Sequence, residues 1–141
     1  MKVPFIKVKQ SGIIRLNAVD DFPDGQLVIG EVGKQLPFAV KRIYYIHNLF
    51  NQRAIRGRHA HKKLDQILFC VNGRCRLALD DGKTRQTITM SDPTWGVRLG
   101  PKLWHTMDRF SSDCVILVFA SAWYQESDYI RDYESFLNST H

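Results

Sequence analysis

Arg56-Gly57-Arg58-His59-Ala60-His61-Lys62-Lys63-Leu64-Asp65, continued by Gln66-Ile67-Leu68-Phe69-Cys70-Val71 and then Asn72-Gly73, is the stretch on which the reading of the chain turns. His59 to Val71 reads as a strand. Asn-Gly tolerates positive φ at both positions and is the strongest short hairpin signal, so the chain should fold back into Cys75 to Leu79. Asp80-Asp81-Gly82-Lys83 closes a second hairpin into Thr84 to Met90. Ser91-Asp92-Pro93 turns into Thr94 to Leu99, and Gly100-Pro101 turns again. Upstream, Phe5 to Val8, Ile13 to Leu16, Gln26 to Glu31 and Val40 to His47 (VKRIYYIH) are strand candidates. Downstream, Cys114 to Ala120 (CVILVFA) is a continuous apolar run, expected to be a strand buried on both sides. Only the end looks helical. Ser127 can cap a helix from Asp128 onward, and Tyr129, Ile130, Tyr133, Phe136 and Leu137 form one apolar stripe. Short strands at turn-marked spacing followed by one helix predict an all-β fold: an antiparallel jelly-roll barrel with a short C-terminal helix, one domain over residues 1–141.

The composition agrees with one soluble globular domain. The chain has 141 residues, 44% hydrophobic and 24% charged, which excludes a disordered tail, a collagen-like chain or a disulfide scaffold. Cys70, Cys75 and Cys114 form no C-x-x-C pair and lie in apolar runs, so they read as buried free thiols in a reducing compartment. The first nine residues are broken by lysines and do not read as a signal peptide. No apolar run approaches the ~20 residues that span a bilayer. The expected location is the cytoplasm, with no membrane partner.

His59 and His61 flank Ala60, so on a strand they face the same way. Asp65 has the same parity and should join them on one inward face. His105 follows Gly100-Pro101 at the edge of a later strand. The spacing R-G-x-H-x-H-x3-D, then G-P-x3-H, resembles the two motifs of the cupin barrel, whose side chains converge in the mouth of a jelly roll. Three readings of this set stand side by side: hydrogen-bonded core histidines, a metal site of three imidazoles and a carboxylate suited to iron, manganese or zinc, and metal-free acid–base chemistry. Spacing does not separate the last two.

The net charge of +6 suggests a polyanionic partner. Arg53, Arg56 and Arg58 precede the histidines, and Lys62 and Lys63 follow. Arginine's planar fork suits phosphate oxygens, so a diphosphate-bearing ligand fits better than a neutral one. Nucleic acid fits less well, because the basic residues form no long run and acidic ones are interspersed.

Larger blocks carry a closer resemblance. Pro37-Phe38-Ala39-Val40-Lys41-Arg42-Ile43-Tyr44-Tyr45-Ile46, Arg56 to Gln66, Asn72-Gly73-x-Cys75-Arg76, Leu79-Asp80-Asp81-Gly82, Gly100-Pro101-x-x-Trp104-His105, Phe110 to Cys114 and Asp128-Tyr129-Ile130-Arg131-x-Tyr133 are similar to motifs of the sugar 3,4-ketoisomerases. These cupin enzymes act on dTDP-4-keto-6-deoxyglucose. The resemblance covers residues 20 to 137. Two departures stand out: Asp65 replaces the family's Glu, and Pro23-Asp24-Gly25-Gln26-Leu27 replaces an S-R-G-S-L turn. The resemblance implies an enzyme that needs no metal or other cofactor. It implies a homodimer exchanging N-terminal strands, and a product that feeds synthesis of a 3-amino-3,6-dideoxyhexose for surface glycans. His59 is the expected base at C3 and His61 its acid–base partner, with the reverse order as the alternative. Tyr45 is the expected proton relay, with Tyr44 the alternative of opposite parity. Arg56, then Arg53 and Lys63, are the expected diphosphate contacts, with Asp65 and His105 near the sugar. His105 favours the galacto product, but the configuration at C4 stays open. The competing classes are a metal-dependent cupin oxygenase or isomerase, a 3,5-epimerase on the same barrel, and a non-catalytic nucleotide-sugar-binding cupin.

Overall fold

A computed structural model describes residues 2–141. Twelve strands run in chain order: β1 (Ser11–Arg15), β2 (Asn17–Asp20), β3 (Gln26–Ile29), β4 (Arg42–Ile46), β5 (Arg56–His61), β6 (Gln66–Asn72), β7 (Cys75–Asp80), β8 (Arg85–Met90), β9 (Trp95–Leu99), β10 (Trp104–Asp108), β11 (Val115–Ala120) and β12 (Tyr129–Ile130). A helix, α1 (Tyr133–Ser139), follows. The strands form two antiparallel five-stranded sheets, β1-β9-β6-β11-β4 and β12-β5-β10-β7-β8, while β2 and β3 make a separate hairpin. This is the expected jelly-roll sandwich.

The core lies between the sheets and is built by strict alternation. Leu77 and Leu79 of β7, Val97 and Leu99 of β9, and Ile116 and Val118 of β11 all point inward. β11 was expected to be buried on both sides, but its outward residues are only half-buried. The strand covered on both faces is β6. Leu68 and Cys70 enter the main core, while Ile67 and Phe69 pack with Leu36 and Phe119 in a second cluster outside the sheet.

Three further expectations fail in instructive ways. Phe5 to Val8 is not a strand. Val8 is buried, and the Gln86 side chain holds the segment by accepting from Lys7 N and donating to the Phe5 carbonyl. His59 to Val71 is two strands in opposite sheets, and the chain crosses between them at residues 62–65. The C-terminal helix does not begin at Asp128. Residues 126–128 form a 3₁₀ turn, and Tyr129 and Ile130 pair with His61 and Ala60 of β5. The helix starts only after Asp132, whose carboxylate caps it by accepting from Ser135 N at 2.9 Å. Tyr133, Phe136 and Leu137 keep the apolar stripe and pack with Trp104, Ala60 and Ile130.

Candidate active site

β5 and β10 are neighbours, and their register sets His59 opposite His105. The pairing slips by one residue next to that pair, which makes a bulge at Gly57 and Arg58 on β5. Both take positive φ, 85° and 58°. A Cβ on Gly57 would lie 2.8 Å from the His105 carbonyl oxygen, so only glycine fits. The bulge has a chemical consequence. Arg56 and His59 are three apart and would face opposite ways on a regular strand. The extra residue turns both into one cleft of about 620 Å³, with Arg42, Tyr44, His105 and Tyr129.

His59 and His105 line this cleft, and the His61 ring lies beside theirs. Ring centroids of His59 lie 5.0 Å from His61 and 4.8 Å from His105, and Tyr129 sits 4.9 Å and 4.4 Å from His59 and His61. Each Nδ1 faces an acceptor: the Gly57 carbonyl at 3.0 Å for His59, Asp128 Oδ2 at 3.1 Å for His61, and the Leu103 carbonyl at 3.2 Å for His105. Each Nδ1 must therefore carry the proton, and each Nε2 keeps a lone pair. Burial is the main cause that holds all three below the ordinary histidine range. His61 falls to about 4, helped by neighbouring His59, and His105 to about 3. The His61–Asp128 contact is thus a hydrogen bond from a neutral imidazole to a carboxylate.

These shifts make a prediction for stability. Unfolded, the histidines protonate as pH falls through about 6.5. Folded, His61 and His105 stay neutral down to about 4 and about 3. The unfolded chain binds more protons between those limits, so this stability is full above pH ~6.5 and is lost as pH falls. The melting temperature should decline already between pH 6.5 and 5, above the carboxylate range. A flat profile there would contradict the burial of neutral imidazoles.

Tyr44 and Tyr45 divide as strand alternation demands. Tyr44 lines the cleft, and its hydroxyl donates to Gln66 Oε1 at 2.9 Å. Burial first, then Tyr129, push its phenol up to about 12, so it stays protonated. Tyr45, the expected relay, faces outward and is 64% exposed. Asp65 does not join the histidines either. The crossing after His61 breaks the parity, and Arg98 binds the Asp65 carboxylate with Nε and Nη2. The carboxylate beside His61 is Asp128, which also accepts from Lys63 N at 2.8 Å and Leu64 N at 3.2 Å. The set of three imidazoles and a carboxylate read from spacing is therefore not assembled with Asp65.

Lys63 lines a smaller adjoining cleft of about 450 Å³ with His61, Trp123 and Asp128. Arg42 and Tyr129 line both clefts. Arg53 lines neither; it is exposed on the loop before β5. Arg42, Asp128 and Tyr129 were missed as site residues. Arg42 shares the parity of Tyr44, which was the available signal. Its Nε is buried and, among the described residues, has no hydrogen-bond partner. The arrangement can do general acid–base chemistry beside an anion: neutral imidazole bases, a protonated phenol and unpaired guanidinium donors share one mouth.

A jelly roll with this histidine-lined mouth is a cupin-like fold. The model of the WxcM-like, C-terminal family (FdtA) matches residues 9–141. The chain is 52% identical over 112 residues to a TDP-4-oxo-6-deoxy-alpha-D-glucose-3,4-oxoisomerase from Aneurinibacillus thermoaerophilus, covering 79% of this chain and 80% of that one. A solved histidine-to-asparagine variant of the 3,4-ketoisomerase QdtA from Thermoanaerobacterium thermosaccharolyticum, in complex with TDP-4-keto-6-deoxyglucose, superposes with a TM-score of 0.90. Identity is 34%, over 94% of this chain and 95% of that one. A 3,4-ketoisomerase from Helicobacter canadensis gives 0.87 at 38% identity, over 92% and 96%. The chain therefore belongs to the WxcM-like, C-terminal family and to its sugar-nucleotide 3,4-ketoisomerases.

Proposed function

We propose that the chain converts TDP-4-keto-6-deoxyglucose to its 3-keto isomer without a cofactor, by histidine acid–base catalysis in the β5–β10 cleft. The observation that carries this reading is the set of three neutral imidazoles whose Nδ1 atoms are all engaged, which leaves Nε2 as base. The ketone at C4 acidifies the C3 hydrogen. His59, central in the cluster, removes it and leaves an enediolate with its charge on O4. The O3 proton passes to O4 through the Tyr44 hydroxyl. His61, held by Asp128, partners His59 in returning a proton to C4, and the ketone remains at C3. His105 closes the sugar-facing wall. Arg42 and Arg56 receive the diphosphate, with Lys63 beyond them.

The protein works as a homodimer in the cytoplasm, with one domain carrying the whole reaction. Two exposed surfaces support the dimer: the β2–β3 hairpin with Val19, Phe22 and Leu27, and the outer face of β4 with Ile43 and Tyr45. β4 ends its sheet, and an unpaired edge beside apolar side chains suits strand exchange. Among the described residues no helix is long and apolar enough to cross a membrane. The 3-keto product is set up for amination at C3, toward a 3-amino-3,6-dideoxyhexose for a surface glycan.

Purified protein should turn over TDP-4-keto-6-deoxyglucose in the presence of a chelator. Activity lost on chelation and regained with metal would overturn the reading in favour of a metal-dependent cupin. The two tyrosines give a sharper test. Tyr44→Phe should slow turnover by about 10²-fold or more, while Tyr45→Phe stays within a few-fold of the parent. The reverse ranking would return the relay to Tyr45.

A further inference from the structure

Far from the histidines, three thiols converge. Cys70, Cys75 and Cys114 are all buried and reduced, and their sulfur atoms lie within 4.8 Å of one another. Cys75 is four residues along β7 from Leu79, the residue paired with His105, which is roughly 13 Å at the rise of a strand. The convergence is built by the hairpin turn. Asn72 Nδ2 donates to the Asp113 carbonyl at 2.8 Å, and Gly73 is pressed so tightly onto the loop that a Cβ would stand 2.9 Å from Cys114 Cα. That contact brings both ends of the β6–β7 hairpin to the start of β11.

We propose that Cys70, Cys75 and Cys114 form a second site, separate from the catalytic cleft, for one soft divalent cation of the zinc–cadmium class. Thiolates select soft d¹⁰ ions. A zinc–sulfur bond of about 2.3 Å sets neighbouring thiolates of a tetrahedral site about 3.8 Å apart. The Cys70–Cys114 separation is 3.8 Å. The Asn72 carbonyl, 3.3 Å from the Cys70 sulfur, offers a neutral fourth donor. Cys70 and Cys114 are in thiol–thiol hydrogen-bond contact, and either sulfur can donate. Thiol protons must leave as the ion enters. A polar concavity lined by Arg74, Arg109, Ser111 and Asp113 lies at the loop that precedes Cys114.

The test is equilibrium dialysis of the reduced protein against Cd²⁺, with ultraviolet absorption as the second readout. One Cd²⁺ per chain is expected, with a thiolate-to-cadmium charge-transfer band and affinity that falls as pH is lowered. Cys75→Ala should weaken uptake by more than about 100-fold, beyond what even an outer-shell change costs, and should leave isomerase turnover unchanged. His59→Asn should keep both the ion and the band. Uptake without the band, uptake that survives Cys75→Ala, or no uptake at all would overturn the proposal. If Cys75→Ala does not fold, the band in the parent protein decides alone.

Discussion

His59→Asn should slow turnover by about 10²–10⁴-fold, the usual worth of one positioned acid–base group, while TDP binds within a few-fold of the parent. The asparagine keeps a polar side chain of similar reach in the cleft but has no basic nitrogen. His59 stands between His61 and His105, and its Nδ1 is committed to the Gly57 carbonyl. No neighbour can therefore move into its place without breaking its own Nδ1 bond. The diphosphate contacts proposed for Arg42 and Arg56 lie outside the substitution. A loss confined to kcat is the expected pattern, checked by steady-state kinetics and TDP titration. Equal losses in kcat and TDP affinity would mean that His59 holds the ligand.

Asp128→Asn should lower kcat by a comparable factor through His61. An Asp→Asn change that leaves a histidine in the wrong tautomer costs about 10⁴-fold in the serine-protease triad. Here one carboxylate serves three donors: His61 Nδ1, Lys63 N and Leu64 N. An amide presents one oxygen and one NH₂ to that set, so at least one donor loses its acceptor. A stability cost of about 1–3 kcal/mol follows from each group left unsatisfied. A purely structural role would lower stability and leave the pH profile in place. Positioning makes a further demand. Asp128 raises the His61 pKa against burial, so its removal should shift the acid limb of kcat to lower pH. The direction of that shift is the signature expected of a positioning residue.

Most of the strands were legible because turn residues punctuate them. Asn72-Gly73 closes the β6–β7 hairpin where Asn-Gly demands it, and Asp80 to Lys83 closes the next. The pairing of His59 with His61 was legible too, since period two survives within one strand. Parity failed where the chain left the sheet. Lys62 to Asp65 carries it to the opposite layer, and nothing in alternation alone reports such a crossing. Asp65 was lost to the site for that reason. Asp128 was missed because it lies 67 residues from His61 and looks locally like the acidic first turn of a helix. Tyr44 and Tyr45 were a different problem. Adjacent tyrosines on a strand necessarily face opposite ways, and only packing tells which face is inside. The Gly57–Arg58 bulge worked in the other direction, bringing Arg56 to His59 against simple parity.

Proton removal at C3 and its return at C4 are tested most directly by one measurement. TDP-4-keto-6-deoxyglucose is incubated with the pure protein in D₂O and followed by NMR. The expected product is the 3-keto sugar with deuterium at C4, or with the former C3 hydrogen there if return outruns exchange, and with C5 unlabelled. Deuterium at C5, or exchange at C3 with no 3-keto product, would contradict the account.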